Sequence, residues 1–587
     1  MQESGASVDV LIVGAGPVGL ITAFQLAKFG GVSVRIIEKH AKSIQDAYGR
    51  AITLFPRTSE MLDQLGLADG LLQSCFACRD TATYNAQGKE VPGRGWSFMN
   101  HMKDTAFDFA LVLRQKFQEE IFRNAMKMHN VQVEAPVELT SASVDHAVPL
   151  ADHRVNAVLL NHRDGTHEAV RCKYLIGCDG GRSSVRQLFG IPFEGSKSED
   201  KWVRIDGQLT TNLPKPRTYC SIESPTHGNV LWAALDHGAT RIGYAFTEDR
   251  AKAYSEFDEA AAVKEAIAAV KPFDIEFDRV DWWTIYTVGQ RVAQRFFHDG
   301  CIFLAGDACH THSSGAAQGM NTGIHDAVNL AWKLRLVLSG DASPKLLETY
   351  QVERLPNVQR LIQYDRDISR LMTNRLPEGW QGDPAADVNV VLGELMEQAG
   401  SFSSGLGIFY DVQEGNPLNV NGSFTCNSTP PVKPGMRGPD ITLYRPGTFE
   451  ATRLIRELPN EACFNMIIFA ATPSVADRRP AISAEAYEGL SDPYFHGLLQ
   501  TGRLRYITIL PDRGPSPYEQ LGNNPLGCVY YDVEGGNEAY RRYGISSANG
   551  GVVVLRPDGW IGTMLALDDE VPGKLKEYLD GIWGKKK

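Results

Sequence analysis

The chain has 587 residues, a formal net charge of −11, and hydrophobic and charged fractions of 43% and 22%. These values predict a globular protein of roughly two to four domains that needs no disulfide or metal staple, and they argue against nucleic-acid binding, the only basic run being Lys585-Lys586-Lys587. No apolar run reaches the ~18 residues of a membrane span, Met1 to Ser7 lacks the character of a signal peptide, and the 10 cysteines are scattered, with Cys75 and Cys78 as a lone C-x-x-C; a cytoplasmic, reducing setting is expected.

In chain order, Val8 to Val13 is an apolar run of buried-strand type, Gly14 to Gly19 a turn, Leu20 to Phe29 a helix stopped by Gly30-Gly31, and Ser33 to Glu38 a second strand. Two later strands, Tyr174 to Cys178 and Cys301 to Ala305, end in Asp179-Gly180 and Gly306-Asp307. Glycine and aspartate at strand carboxyl ends suit an open α/β sheet that binds a ligand there, so one nucleotide-binding sheet interrupted by insertions is predicted. Residues 191–290 alternate apolar and polar side chains, as in Tyr219 to Ile222 and Arg241 to Phe246, which suits a second sheet over a cavity. Gln318 to Ser339 reads as a long helix with Ala327, Leu330, Ala331, Leu334 and Leu338 on one stripe. Between Pro377 and Pro434 the composition is that of a connector, and strands at Asn465 to Ala470, Leu504 to Leu510, Gly527 to Asp532 and Gly551 to Leu555 predict a separate α/β domain.

Gly14-Ala15-Gly16-Pro17-Val18-Gly19 fits G-x-G-x-x-G between a strand and a helix, and Glu38 closes the next strand about 20 residues on, where an acid can accept from a ribose. That motif cannot tell FAD from NAD. Gly177 to Arg186 resembles the D-G segment of class A flavoprotein hydroxylases, and Gly306-Asp307-Ala308-Cys309-His310 resembles their G-D segment. With Gln318-Gly319-Met320-Asn321-Thr322-Gly323, these segments resemble the p-hydroxybenzoate hydroxylase fold over about residues 8 to 370. Asp281 to Val292 and Gly306 to Asn321 are most similar to the phenol 2-monooxygenase branch.

The resemblance implies an α/β protein: a Rossmann-like FAD-binding domain (1–75, 106–190 and 291–370) with an inserted β-sheet substrate domain (76–105 and 191–290). A connector (371–430) and a C-terminal thioredoxin-like domain (431–587) follow, the latter without a C-x-x-C and so without expected redox chemistry at Cys463 or Cys528. It implies FAD as cofactor, NADPH or NADH as co-substrate, and hydroxylation of an aromatic, phenolic ring by O2 through a flavin hydroperoxide, in a homodimer with no nucleic-acid or membrane partner. Expected FAD contacts are Gly14, Gly16, Pro17, Gly19, Glu38, Lys39, Arg50, Gln115, Asp179, Gly180, Gly306, Asp307, Gln318, Gly319, Met320 and Asn321. Expected catalytic residues are Tyr286, Tyr244 and Arg241, with Tyr244 facing the cavity; no metal is expected, His310 and His312 being read as loop packing. Ile52 stands where the phenol 2-monooxygenase pattern has an acid, which points to a larger, more apolar or already acidic phenol. Epoxidation, Baeyer–Villiger oxygenation or oxidation of a polycyclic aromatic on the same scaffold, and a non-catalytic FAD-binding protein, remain as alternatives.

Overall fold

A computed structural model of the chain describes residues 6–44, 51–313, 315, 317–422, 431–473 and 480–583. The first sheet runs, edge to edge, through Phe297–His298, Ile302–Leu304, His167–Gly177, Ala6–Val13 (β1), Val34–Ile37 (β2) and Val133–Glu134. Along this path all neighbours are parallel except the Phe297–His298 edge, while Val155–Asn161 adds to His167–Gly177 antiparallel and Val137–Val144 pairs antiparallel with Val155–Asn161 in turn. Val10, Leu11 and Ile12 of β1 are fully buried on both faces, as a central parallel strand requires. The Pro17–Phe29 helix (α1) packs between the Gln115–Lys127 and Gly319–Leu338 helices, which accounts for its unbroken buried run from Gly19 to Leu26.

The insertion forms a second, seven-stranded sheet ordered His310–Thr311, Ile275–Ala293, Phe193–Thr211, Thr240–Phe246, Gly228–Ala234, Tyr219–Ser224 and Thr81–Tyr84. Its two 19-residue strands, Phe193–Thr211 and Ile275–Ala293, are antiparallel and carry the chain out of the first sheet and back. One face packs Val203, Ile242 and Tyr244 against the Glu259–Ala269 helix. The other packs Trp202, Tyr219 and Ala245 against residues of segments 96–102, 368–372 and 391–396. The segment expected as a connector therefore contributes to this second core: its Val388–Gln398 helix buries Val391, Leu392 and Met396 there.

The C-terminal unit is a seven-stranded mixed sheet whose three parallel neighbours, Phe464–Phe469, Leu504–Leu510 and Cys528–Tyr531, lie inside antiparallel flanks. Cys463, just before the Phe464–Phe469 strand, and Cys528, at the start of Cys528–Tyr531, lie on either side of Leu504–Leu510 and four residues out of register along it. No helix among the described residues is long and apolar enough to cross a membrane.

Candidate active site

The glycine turn shows three different reasons for glycine. Gly14 has φ +101°, and a Cβ there would lie 2.4 Å from the Cys178 carbonyl oxygen. A Cβ on Gly19 would lie 2.0 Å from the Gly14 carbonyl oxygen, so this glycine lets helix and turn close together. A Cβ on Gly16 would meet nothing within 4 Å. Gly16 is also the N-cap of α1, makes no side-chain cap and precedes Pro17, so the free end of the helix faces open space. An uncapped helix N-terminus with room before it is what a pyrophosphate needs.

Glu38 stands beside this turn: its carboxylate accepts from the Ala15 N–H and the His40 N–H, each at 3.0 Å. Lys39 is exposed. Just beyond, a cavity of about 510 Å³ is lined by Lys42, Glu120, Arg123, Lys127 and Arg163 among others. Its cationic lining suits an anionic nucleotide, and Arg123 also donates to the Ala15 carbonyl at 3.1 Å. Arg123 was not foreseen, since nothing local in the sequence distinguishes it from any other helix arginine.

Asp179 caps the Ser184–Leu188 helix, its Oδ2 accepting from Ser184 N (2.7 Å), Ser184 Oγ (2.9 Å) and Val185 N (3.1 Å). Its other oxygen, Oδ1, is buried with no hydrogen-bond partner, and Gly180 beside it has φ +79° with open space before it. An orphaned buried carboxylate oxygen next to the glycine turn fits a ligand that brings a donor. Gly306 touches α1, a Cβ there falling 2.8 Å from Val18 Cγ2, and Asp307 is exposed on the same edge. These features fit the ADP and ribityl portions of FAD.

Other expected contacts do structural work with their side chains. Gln318 donates to the Ser403 carbonyl (2.7 Å), and Asn321 donates to Thr53 O (3.0 Å) and accepts from Phe55 N (2.9 Å). Gly319 and Met320 open the helix that these two side chains anchor. Gln115 begins its helix and accepts from Ala51 N at 3.2 Å. Arg50 lies outside the described residues. His310 and His312 are both held by carboxylates, Asp326 at 2.8 Å and Asp365 at 3.8 Å. Cys309, His310 and Asp326 present donor atoms within 4.8 Å of one another, but Asp326 also binds the Arg354 guanidinium at 2.7 Å and Gly306 N at 3.0 Å, which commits it to hydrogen bonds.

The substrate sheet meets the FAD body around a buried cluster of Ile52, Phe55, Trp96, Phe98, Trp202 and Tyr219, with half-buried Tyr286 packed against it. Register decides which strand residues take part. Tyr286 pairs with Trp202, whereas Tyr244 pairs with Val203, the next residue on the same strand, so their side chains leave opposite faces. The expectation that Tyr244 faces the cavity is therefore corrected: its hydroxyl donates to Ala262 O at 3.0 Å, and its ring stands edge-on to His227 beneath the Glu259–Ala269 helix. Burial pushes its hydroxyl far above the range of a useful base.

Arg241 is on the same face as Tyr286, but its guanidinium forks onto the Asp206 carboxylate at 2.6 and 2.9 Å. Two further residues of this face were missed. Arg204 is buried with its guanidinium 5.7 Å from the Tyr286 ring centroid, and burial lowers its pKa. It lies over Gly243, where a Cβ would fall 2.3 Å from its Nη1. The Tyr219 hydroxyl is 3.3 Å from Thr53 Oγ1, and burial raises its pKa. The strand alternation of Tyr219 and Arg204 was visible; which face was the inner one was not.

Comparison with known proteins agrees with this geometry. Residues 7–365 match the family described as FAD binding domain, and residues 517–587 match the phenol hydroxylase C-terminal dimerisation domain. The chain is 29% identical to "Phenol 2-monooxygenase fsqG" of Aspergillus fumigatus, covering 99% of this chain and 97% of the relative. It is 31% identical to 3-hydroxybenzoate 4-monooxygenase of Comamonas testosteroni over 69% of this chain and 66% of that protein. The solved structure of aklavinone-11 hydroxylase with FAD and aklavinone shares the fold at a TM-score of 0.72 and 21% identity, covering 99% of this chain and 100% of that one. With the FAD-binding match spanning more than half of it, the chain belongs to the FAD-binding family of aromatic monooxygenases.

Proposed function

We propose that this protein hydroxylates a phenolic or related aromatic ring, with FAD as cofactor, NAD(P)H as electron donor and O2 as the oxygen source. The observation that carries the reading is the aromatic cluster around Tyr286, placed where the Ile275–Ala293 strand returns to the FAD body. Bound FAD supplies the two-electron chemistry that activates oxygen. The chain's own part begins with holding it: the Gly16 edge and the α1 N-terminus take the pyrophosphate, Glu38 stands at the ribose end, and Asp307 takes the ribityl side.

The substrate ring lies among Ile52, Phe55, Trp202 and Tyr219, which exclude water from it. The Tyr286 hydroxyl hydrogen-bonds the substrate phenol, and the buried Arg204 charge beside it favours the phenolate, the more nucleophilic form of the ring. Ile52 is buried and leaves this wall without an acid, which makes it apolar and suits a more apolar or already acidic phenol. The C-terminal unit is read as a thioredoxin-like dimerisation domain and the assembly as a homodimer. Its fragment of family resemblance supports the second point, and the separation of Cys463 from Cys528 supports a domain without thiol chemistry.

Tyr286→Phe tests the reading. The variant keeps the ring and is expected to retain FAD and substrate-stimulated NAD(P)H oxidation, while hydroxylated product falls by ~10²-fold or more and hydrogen peroxide replaces it. Product yield per NAD(P)H equal to that of the wild type removes Tyr286 from the chemistry. A phenol screen in which no compound stimulates NAD(P)H oxidation by the yellow holoprotein overturns the function itself.

A further inference from the structure

The turn Arg556–Trp560, which joins strands Gly551–Leu555 and Ile561–Ala566 of the C-terminal unit, is buried inside the FAD body rather than at a surface. Arg556 and Asp558 are both 0% exposed. Arg556 forks onto Asp558 and onto Glu353 of the Glu348–Met372 helix, which also holds Lys333 at 2.8 Å. Trp332 donates to the Asp558 carboxylate at 3.1 Å. This polar knot fixes the turn, and two arms leave it, one toward Gly306 and one toward the segment that precedes Arg57.

The first arm starts at Trp560. Its ring stacks on Tyr410 at 4.9 Å, and the Tyr410 hydroxyl accepts from Arg354 at 3.3 Å. Arg354 holds Asp326 at 2.7 Å, and Asp326 accepts from the Gly306 N–H at 3.0 Å and from His310 at 2.8 Å. The arm therefore ends on the backbone of Gly306, the residue before Asp307.

The second arm runs through Arg57. Its Nη2 donates to the Asp558 carbonyl at 2.6 Å and its guanidinium lies 4.4 Å from the Trp560 ring centroid. Gly559, at φ +80°, makes room for it: a Cβ there would fall 2.8 Å from Arg57 Nη2. Arg57 is the second residue of the Pro56–Gln64 helix, directly after the Ile52–Phe55 segment, of which Ile52 and Phe55 line the substrate cluster and the Thr53 and Phe55 backbone is pinned to the Asn321 side chain. Thr58, next along, shares a 3.1 Å hydrogen bond with His325, whose ring stands edge-on to Trp560.

We propose that the Arg556–Trp560 turn is a positioning element of the flavin site, which sets the Gly306-Asp307 loop through Tyr410, Arg354 and Asp326, and the Ile52–Phe55 wall through Arg57. The C-terminal unit then does more than pair protomers: it completes the rigidity of a site it does not line. Side chains stacked and hydrogen-bonded in a continuous buried path have few alternative arrangements, so loosening one end frees the other. The proposal rests on residues 306–307 and 52–55 bordering bound FAD.

The test uses the full-length, FAD-loaded protein without substrate. Trp560→Leu removes the stack with Tyr410 and Arg57, and Trp560→Phe keeps a ring for both. The Leu variant is expected to release FAD about tenfold faster on dilution and to change the visible circular dichroism of the flavin, while the Phe variant stays within about twofold of the wild type. A Leu variant with wild-type release and dichroism, altered only in melting temperature, makes the turn a domain fastener and overturns the proposal. If the Leu variant does not fold, Arg57→Lys decides on the same two readouts. It keeps a charge beside Glu60 but cannot both fork and stack, so wild-type values there overturn the proposal and altered values uphold it. Because no substrate is present, these results stand apart from the phenol screen, which judges the hydroxylase reading alone.

Discussion

Single residues separate binding from folding at the glycine turn. Gly16 faces open space and Gly19 faces the Gly14 carbonyl at 2.0 Å, so the same substitution has opposite meanings at the two positions. Gly16→Val is expected to give a folded apoprotein, with the melting temperature of wild-type apoprotein, that carries no flavin colour. Gly19→Val forces helix and strand apart and is expected to cost about 1–3 kcal/mol, read by urea unfolding of the apoprotein. A yellow Gly16→Val protein with stoichiometric FAD would remove the turn from the cofactor site. Asp307→Ala is expected to weaken FAD about ten- to hundredfold without changing apoprotein stability, because this carboxylate is exposed rather than packed in a core.

At the scale of elements, the Gly319–Leu338 and Glu348–Met372 helices are joined by Asp326 and Arg354, both fully buried. Burial alone would raise the Asp326 carboxyl, but Arg354 and His310 outweigh it and hold its pKa at about 2. A folded-state pKa below the unfolded value adds stability that is complete above the ordinary carboxylate range and is lost as pH falls from about 4 toward 2. Asp326→Asn is therefore expected to be less stable than wild type by about 2 kcal/mol at pH 7, with the gap closing through that acid window. Urea midpoints at pH 7, 4 and 3 measure it; a gap independent of pH would mean that Asp326 contributes shape rather than charge.

At the scale of the molecule, the two halves share a core. Trp332, Leu336 and Leu346 of the FAD body are buried with Phe464, Leu504 and Leu579 of the C-terminal unit, and Glu60 is held by Arg57 from one side and Arg437 from the other. A fragment ending near residue 430 exposes that apolar face and leaves buried charges with half their partners, a loss of ~3–5 kcal/mol per broken pair. It is expected to be insoluble or to lack FAD; a soluble, yellow fragment with wild-type activity would show the halves to be independent. Cys463 and Cys528, changed together to Ser, are expected to leave turnover unchanged, and a loss of turnover at full FAD content would restore thiol chemistry to this unit.

The sequence by itself determined the features that depend on local backbone. Strand, glycine turn, helix and Glu38 are contiguous and need particular conformations, so they were legible from residue type and spacing, as were the Leu504–Leu510 and Gly551–Leu555 strands, whose bounds match to the residue. The Gly306-Asp307 and Asp179-Gly180 segments were legible as motifs, but the capping role of Asp179 was not, because it depends on where the next helix turns. Only the tertiary structure decided which face of the second sheet is the inner one: Tyr244 and Tyr286 both sit on alternating strands, and their registers against Phe193–Thr211 differ by a single residue. It alone also brought Arg57 to Asp558, whose hydrogen-bonded atoms are 501 residues apart in the chain. Such pairings arise from the packing of whole elements, and composition and periodicity report only the face each element hides, not the partner that hides it.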